Sequence, residues 1–169
     1  MWNEQIIMML LEGIKDTLYM TLTSTLIGYV IGLPMGILLT VTDKDGIHPN
    51  TAVYKVLDVI ANLIRSVPFL ILLIVLIPFT RFLIGRSYGP TATIVPLVIA
   101  AAPYIARMVE SSLKEVDAGV IEAARSMGAS NFTIVTKVML VEARTSLIVG
   151  ATISLGTILG YSAMAGTVG

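Results

Sequence analysis

Residues Thr17–Val41 read TLYMTLTSTLIGYVIGLPMGILLTV, 25 residues without one charged side chain. At about 1.5 Å of rise per residue, the stretch exceeds the roughly 20 residues that a helix needs to cross the hydrocarbon core of a bilayer. An unclosed strand would leave its backbone groups unpaired in lipid, so the stretch reads as a helix. Working outward, three further apolar runs follow. Residues 56–79 contain Asp58 and Arg65, residues 88–106 hold Pro90, Pro96 and Pro103, and residues 145–165 carry no charge. Composition agrees: 56% of the 169 residues are hydrophobic and 13% charged, against about 25% charged in a soluble domain. An all-α, polytopic membrane helix bundle is expected, with spans at about 17–41, 56–79, 88–106 and 145–165.

Before the first span, Ile6, Ile7, Leu10 and Ile14 share one helical face opposite Glu4, Glu12 and Lys15. Residues 1–16 are therefore expected to form a short interfacial segment. That segment lacks a basic leader, so the first span is expected to insert uncleaved. Orientation follows from the basic residues. One side of the bundle holds Lys44, Lys55, Arg107, Lys114, Arg125, Lys137 and Arg144, and the other holds Lys15, Arg81 and Arg86. The richer side is cytoplasmic on this count, which puts the N-terminus outside. The chain closes on Ala165-Gly166-Thr167-Val168-Gly169, a small-residue stretch that begins a turn. A C-terminally incomplete chain is expected, with four spans present of five.

Several functions are excluded. Net charge is zero, so there is no basic field for nucleic acid. No cysteine is present, which removes disulfide and Cys-ligated metal chemistry, and no metal site is expected. The single histidine, His48, sits in a polar loop beside Pro49, and no Gly-x-Ser-x-Gly occurs, so an intramembrane serine protease has no machinery here. No P-loop pattern occurs either. The chain is expected to be no enzyme and to hold no cofactor.

Gly28, Gly32 and Gly36 recur every four residues in the first span, and Gly156 and Gly160 do so in the fourth. Such spacing lets one helix backbone pack directly on another, the alternative being lipid-facing glycine.

Between the third and fourth spans, residues 107–144 hold ten of the 22 Asp, Glu, Lys and Arg residues. Asp117 can cap a helix that carries Val116, Val120, Ala123, Ala124 and Met127 on one stripe, with Gly128 as its stop. A second helix is expected from about Asn131, with Phe132, Val135, Val138 and Met139 on its apolar side. The two form a cytoplasmic hairpin over 117–139. Small Ala123 and Ala124 beside Glu122 leave a shallow surface for a partner, and Glu122 offers it a directional contact. An amphipathic hairpin on lipid headgroups is the competing reading, but five acidic residues balance five basic ones, and anionic lipid prefers a net positive face.

Glu122-Ala123-Ala124, then Gly128, with Val138 and Leu140 downstream, resembles the cytoplasmic signature of permease subunits of binding-protein-dependent ABC importers. The usual pattern ends in proline where this chain has Val141. Three more stretches, Arg65-Ser66-Val67-Pro68-Phe69-Leu70, Ala102-Pro103-Tyr104-Ile105-Ala106-Arg107 and Gly160-Tyr161-Ser162-Ala163-Met164-Ala165-Gly166, resemble the methionine importer permeases. The resemblance implies a homodimeric permease in the bacterial inner membrane. It implies two ATPase subunits on the cytoplasmic side, which bind ATP and Mg, and an external substrate-binding lipoprotein. It makes Glu122, Ala123, Ala124 and Gly128 the ATPase-coupling residues, and methionine the first substrate expected, ahead of another polar amino acid. A small channel or scaffold is the remaining alternative, and neither has reason to present such a hairpin.

Arg65 has two readings. It lines the translocation path, or it is a tether to Asp58 or to carbonyls loosened by Pro68. Tyr161 and Met164, toward the outer end of the fourth span, are candidates for a closing constriction, packing residues being the alternative. Pro96 and Pro103 lie seven apart, and the helix they bend is expected to move with the hairpin as a lever.

Overall fold

The chain is described by a computed structural model over residues 4–166, and no strand occurs among the described residues. Its first helix, α1 (Glu4–Thr42), is 39 residues long, about 58 Å by helical rise. One stripe of it is buried, running through Met20, Thr21, Ser24, Gly28, Gly32, Gly36, Leu39 and Thr40. That stripe lies along α5 (Pro90–Lys114), the most enclosed helix of the bundle, which also touches every other long helix. A Cβ added at Gly32 would lie 2.6 Å from the Ala102 carbonyl oxygen, and one at Gly36 2.5 Å from that of Ala106. The glycines therefore set how closely α1 and α5 approach. Ala101, Ala102 and Ala106 give the facing surface its small-residue side.

The expected boundary between an interfacial segment and a first span is corrected, because α1 runs unbroken through Asp16 and Thr17. No proline, cap or paired glycine stands there to stop it. Gly13 alone costs about 1 kcal/mol against alanine, too little to end a long helix, and Thr17 Oγ1 donates to the Gly13 carbonyl at 2.7 Å.

The second span is also corrected, from one helix over 56–79 to three pieces. Helix α2 (Thr51–Ser66) starts earlier, because Asn50 caps it by accepting from the Val53 N–H at 3.1 Å. It stops at Val67, and α3 (Phe69–Val75) sets off at 102° to it. Pro68 has no N–H to continue the ladder and pushes the residue before it out of the helical region. Val67 accordingly sits at φ −87°, ψ 124°. A third piece, α4 (Ile77–Ile84), ends at Gly85, whose φ of 84° only glycine adopts readily.

The third span is corrected at its inner end. Helix α5 passes Arg107 and continues to Lys114, so residues 107–114 are helix and not loop. Pro96 and Pro103 are buried inside it without ending it. Helix α6 (Ala118–Ser126) follows, then a single turn, α7 (Asn131–Thr133), a π-helical stretch, π1 (Ile134–Met139), and a further turn, α8 (Leu140–Glu142). Only Ala143 separates these from the last long helix, α9 (Arg144–Ala165). The absent proline at Val141 thus leaves a near-continuous path into α9. Of the closing stretch expected to begin a turn, Thr167, Val168 and Gly169 lie outside the described residues. The architecture is a helical membrane bundle, with α1, α5, α9 and the bent α2–α3 pair long and apolar enough to cross.

Candidate functional site

The hairpin that the charge pattern singled out is built by local caps. Asp117 accepts from the Gly119 N–H at 2.7 Å and opens α6. At the other end Gly128 takes φ 81°, the Gly128 N–H bonds the Arg125 carbonyl and the Ala129 N–H bonds that of Ala124. This is the paired closure that a left-handed residue after a helix permits. Ser130 then accepts from the Thr133 N–H at 3.3 Å and starts the return.

The expected apolar stripe on α6 divides. Ala124 is 5% exposed and packs with Ile134, Val135 and Met139 of π1 in the bundle core. Val120, Ala123 and Met127 face outward, Met127 at 83% exposure, and Phe132 beside them is 78% exposed. Ala123 and Ala124 therefore do different work, the first on the open face and the second inside. A widened π turn supplies the inner wall, since it shifts Ile134, Val135 and Met139 all toward the core. Glu122 lines a cleft of about 500 Å³ between α6 and the loop 43–47. Across it Arg125 Nη2 donates to the Ile47 carbonyl at 3.0 Å. The Glu122 carboxylate makes no ion pair among the described residues.

Beneath the cleft is a charge cluster that sequence reading did not assemble. Glu110, buried on α5, accepts from Arg107 Nη1 at 2.7 Å and from Lys114 Nζ at 2.8 Å. Arg107 also pairs with Asp58 of α2, and Lys114 with Asp43 at 2.6 Å. The hydrogen bond from Lys114 holds the Asp43 carboxyl below its ordinary value of 3.8, against the opposing effect of burial. The cluster ties the first loop, α2 and α5 into one unit. Its signal was the spacing of Arg107, Glu110 and Lys114, three, four and seven apart on one helical face. Charge of this density suggests a loop, and in a loop that spacing carries no meaning.

Further into the membrane the α2–α3 break opens a second cavity, of about 190 Å³, which Arg65, Tyr104 and Tyr161 line together with Phe69, Leu72 and Ala100. Arg65 and Tyr161, separately singled out from sequence, meet here. The expected tether from Arg65 to Asp58 is corrected, because Arg107 and Asn62 occupy that carboxylate. No hydrogen bond or ion pair engages Arg65 among the described residues, the carbonyls near Pro68 included. Met164 is 45% exposed on α9 and does not line this cavity. Gly28, Gly32 and Gly36 face α5 at close range, whereas Gly156 and Gly160 have no atom within 4 Å of where a Cβ would stand. Their packing role has no counterpart within this chain.

Residues 7–169 match the family described as binding-protein-dependent transport system inner membrane component. The chain belongs to that family. It is 50% identical over 164 residues to the D-methionine transport system permease protein MetI of Salmonella typhimurium (strain LT2), covering 97% of this chain and 76% of that protein. The protein of the same name from Escherichia coli (strain K12) gives the same values, and that of Yersinia pestis is 48% identical over the same coverage. Among solved structures, an inward-facing conformation of the MetNI methionine ABC transporter superimposes with a TM-score of 0.96 at 50% identity, over 99% of this chain and 77% of the other. An amino acid ABC transporter crystallised with histidines shares the fold, with a TM-score of 0.71 at 24% identity over 90% of this chain and 68% of that one. The D-methionine relatives are named as permease proteins of a transport system, in accord with the family description of an inner membrane component.

Proposed function

We propose that the chain is the membrane permease of an ATP-driven methionine importer, which forms the path for the amino acid and takes its drive from a separate ATPase through the 117–139 hairpin. The likeness to the D-methionine permeases, over 97% of this chain and 76% of theirs, supports the substrate. One geometric observation carries the coupling. At the inner end of the bundle Asp43, Asp58, Arg107, Glu110 and Lys114 pair with one another, while Glu122 projects into a cleft with no partner among the described residues. Beside it stand the exposed Val120, Ala123, Met127 and Phe132. A knob on the ATPase that carries an Arg or Lys would bury those apolar groups and pair Glu122 in one docking step. Gly128 and Ala124 hold the helix that presents them.

The complete unit on this reading has two permease copies, two ATP- and Mg-binding subunits on the cytoplasmic side and a substrate-binding lipoprotein outside. The dimer is supported by the unfilled surface of α9 at Gly156 and Gly160. The seven-to-three division of basic residues supports a cytoplasmic hairpin and an external N-terminus in the inner membrane. Closure of the ATPases would draw the hairpins together and tilt α5 and α9 behind them.

Glu122→Lys tests the reading in vesicles that hold the whole transporter. Membrane insertion and dimerisation are expected to persist, while methionine uptake and substrate-stimulated ATP hydrolysis are lost. Uptake that survives the substitution would overturn the docking role. Co-purification from mild detergent checks the partner separately, with an ATPase as the expected companion chain.

A further inference from the structure

Arg65 lies about 21 Å along α2 from Thr51 by helical rise, and its side chain is exposed on the surface of the single chain. An unpaired guanidinium at such depth is costly, and ionisable groups are retained there where they serve a path or find a partner. The acidic group on its own helix, Asp58, belongs to Arg107. What Arg65 does have is a cavity.

Two features of that cavity suit one class of ligand. Its volume of about 190 Å³ falls below the roughly 300–1,000 Å³ of sites for drug-sized molecules, the scale of a single amino acid. Its walls are divided by chemistry. Phe69 and Tyr161 stack with centroids 4.7 Å apart and planes within 7°, and with Leu72 they form an apolar floor. A thioether or aliphatic side chain packs well on an aromatic edge. The Tyr104 hydroxyl, 3.4 Å from Thr157 Oγ1, and the last carbonyls of α2 supply acceptors for an ammonium. Those carbonyls lie at the negative end of a helix dipole, where Pro68 prevents a further turn. Broken helices at membrane depth are where transporters of several folds place their substrate.

We infer that Arg65, at the α2–α3 break, binds the carboxylate of the amino acid in transit, with Phe69, Leu72 and Tyr161 taking its apolar side chain and Tyr104 its ammonium. This rests on the reading of the chain as an amino-acid permease. The site is a transit subsite for zwitterions with an uncharged, apolar side chain. Guanidinium–carboxylate pairing is bidentate, so lysine replaces it only in part.

The test uses the full permease with its ATPase and binding protein in vesicles, and radiolabelled L-methionine. Arg65→Gln is expected to assemble, to keep binding-protein-stimulated ATP hydrolysis within about twofold, and to lower uptake at least about tenfold, the loss of one charged hydrogen-bonded pair. Arg65→Lys should recover part of the uptake. Arg65→Met, neutral and tolerant of an apolar setting, stands in should the Gln variant fail to assemble. Uptake by either neutral variant within twofold of wild type overturns the inference and leaves the permease reading intact. So does a fall in ATP hydrolysis that tracks the fall in uptake, or failure of both neutral variants to assemble, since each assigns Arg65 a structural role. Wild-type vesicles that accumulate no methionine overturn the permease reading and this inference with it.

Discussion

Alanine in place of each glycine of α1 should destabilise the bundle in a graded order set by what the new methyl meets. At Gly36 the added Cβ would lie 2.5 Å from the Ala106 carbonyl oxygen and 2.6 Å from Val109 Cβ, and at Gly32 2.6 Å from the Ala102 oxygen and 2.8 Å from Ile105 Cβ. Ordinary contact begins near 3.4 Å, so each falls short by about 0.8–0.9 Å. The obstacle is backbone of the facing helix, which no rotamer change relieves. The helices must part, and parting them forfeits dispersion along the whole seam. Overpacking of this kind costs about 1–3 kcal/mol, and the backbone obstacle puts Gly32→Ala and Gly36→Ala at about 2–3 kcal/mol each. At Gly28 the nearest atoms are the Ile105 δ-methyl at 3.0 Å and Ala101 Cβ at 3.1 Å. The Ile105 methyl can swing aside and Ala101 Cβ, fixed to its backbone, is short of ordinary contact by about 0.3 Å, so Gly28→Ala should cost about 1 kcal/mol, less than the other two. Gly13 meets nothing within 4 Å, and Gly13→Ala should be neutral or gain up to about 1 kcal/mol in helix propensity. Reversible unfolding in mixed micelles, followed by helicity, measures all four. Should Gly32→Ala and Gly36→Ala fall within about 0.5 kcal/mol of Gly13→Ala, the close-packed seam is wrong.

The charge cluster holds three carboxylates, Asp43, Asp58 and Glu110, against two cations, Arg107 and Lys114. Glu110→Gln balances the cluster and leaves each cation an Asp, so it should cost about 1–2 kcal/mol, whereas Arg107→Gln leaves Asp58 only the Asn62 amide and buried Glu110 a single cation, Lys114, and should cost about 3 kcal/mol; the same unfolding assay ranks them, and the reverse order would refute the pairing. Asp43 contributes stability that is complete above its unfolded value near 3.8 and is lost as pH falls through its lower folded value. Asp43→Asn should therefore reduce the stability difference between pH 6 and the acid limb, roughly in that window, read from unfolding midpoints across pH, and an unchanged acid limb would contradict the Lys114 bond. Gly128→Ala forces a left-handed alanine at a cost of about 1–2 kcal/mol with nothing within 4 Å to clash; hydrogen exchange at Met127–Ala129 should quicken, and ATPase co-purification should weaken while insertion stays intact.

Charge-free length made the spans legible, since a run such as Thr17–Val41 admits no other placement. Helix ends were less legible, for reasons that differ by site. Arg107, Glu110 and Lys114 look like loop residues when charge is read as solvent exposure, yet their pairing with Asp43 and Asp58 lets α5 carry them as helix. Those partners lie on other elements, and sequence spacing does not report them. Pro68 was visible, but whether a proline bends a helix or ends it depends on what the next segment packs against, and here Phe69, Leu72 and Leu73 are buried and draw α3 aside. At the hairpin the caps Asp117 and Gly128 were readable because they act locally. The separation of Ala123 from Ala124 was not, because it depends on the π-helical register of Ile134–Met139.

Helix α5 joins the two regions that the proposed function needs to connect. It contributes Ala100 and Tyr104 to the cavity at the α2–α3 break, then Arg107, Glu110 and Lys114 to the charge cluster, a distance of about 15 Å from Tyr104 to Lys114. Lys114 lies in turn on the wall of the cleft that holds Glu122. A buried cluster of this kind adds little net stability over an apolar replacement, because desolvation offsets the attraction. What it does impose is direction, since each carboxylate accepts from donors at fixed angles and the first loop, α2 and α5 cannot slide past one another without breaking several such bonds. On the proposed reading, a displacement at the hairpin reaches the cavity along a helix clamped at its inner end, and Arg107 holds α2 to that helix, so that Arg65 moves with it and not against it. On that reading the substrate-facing guanidinium of Arg65 and the motor-facing carboxylate of Glu122 stand at two ends of elements that α5 connects, which is why Arg107, with no contact to either partner, should matter as much as the residues that touch them.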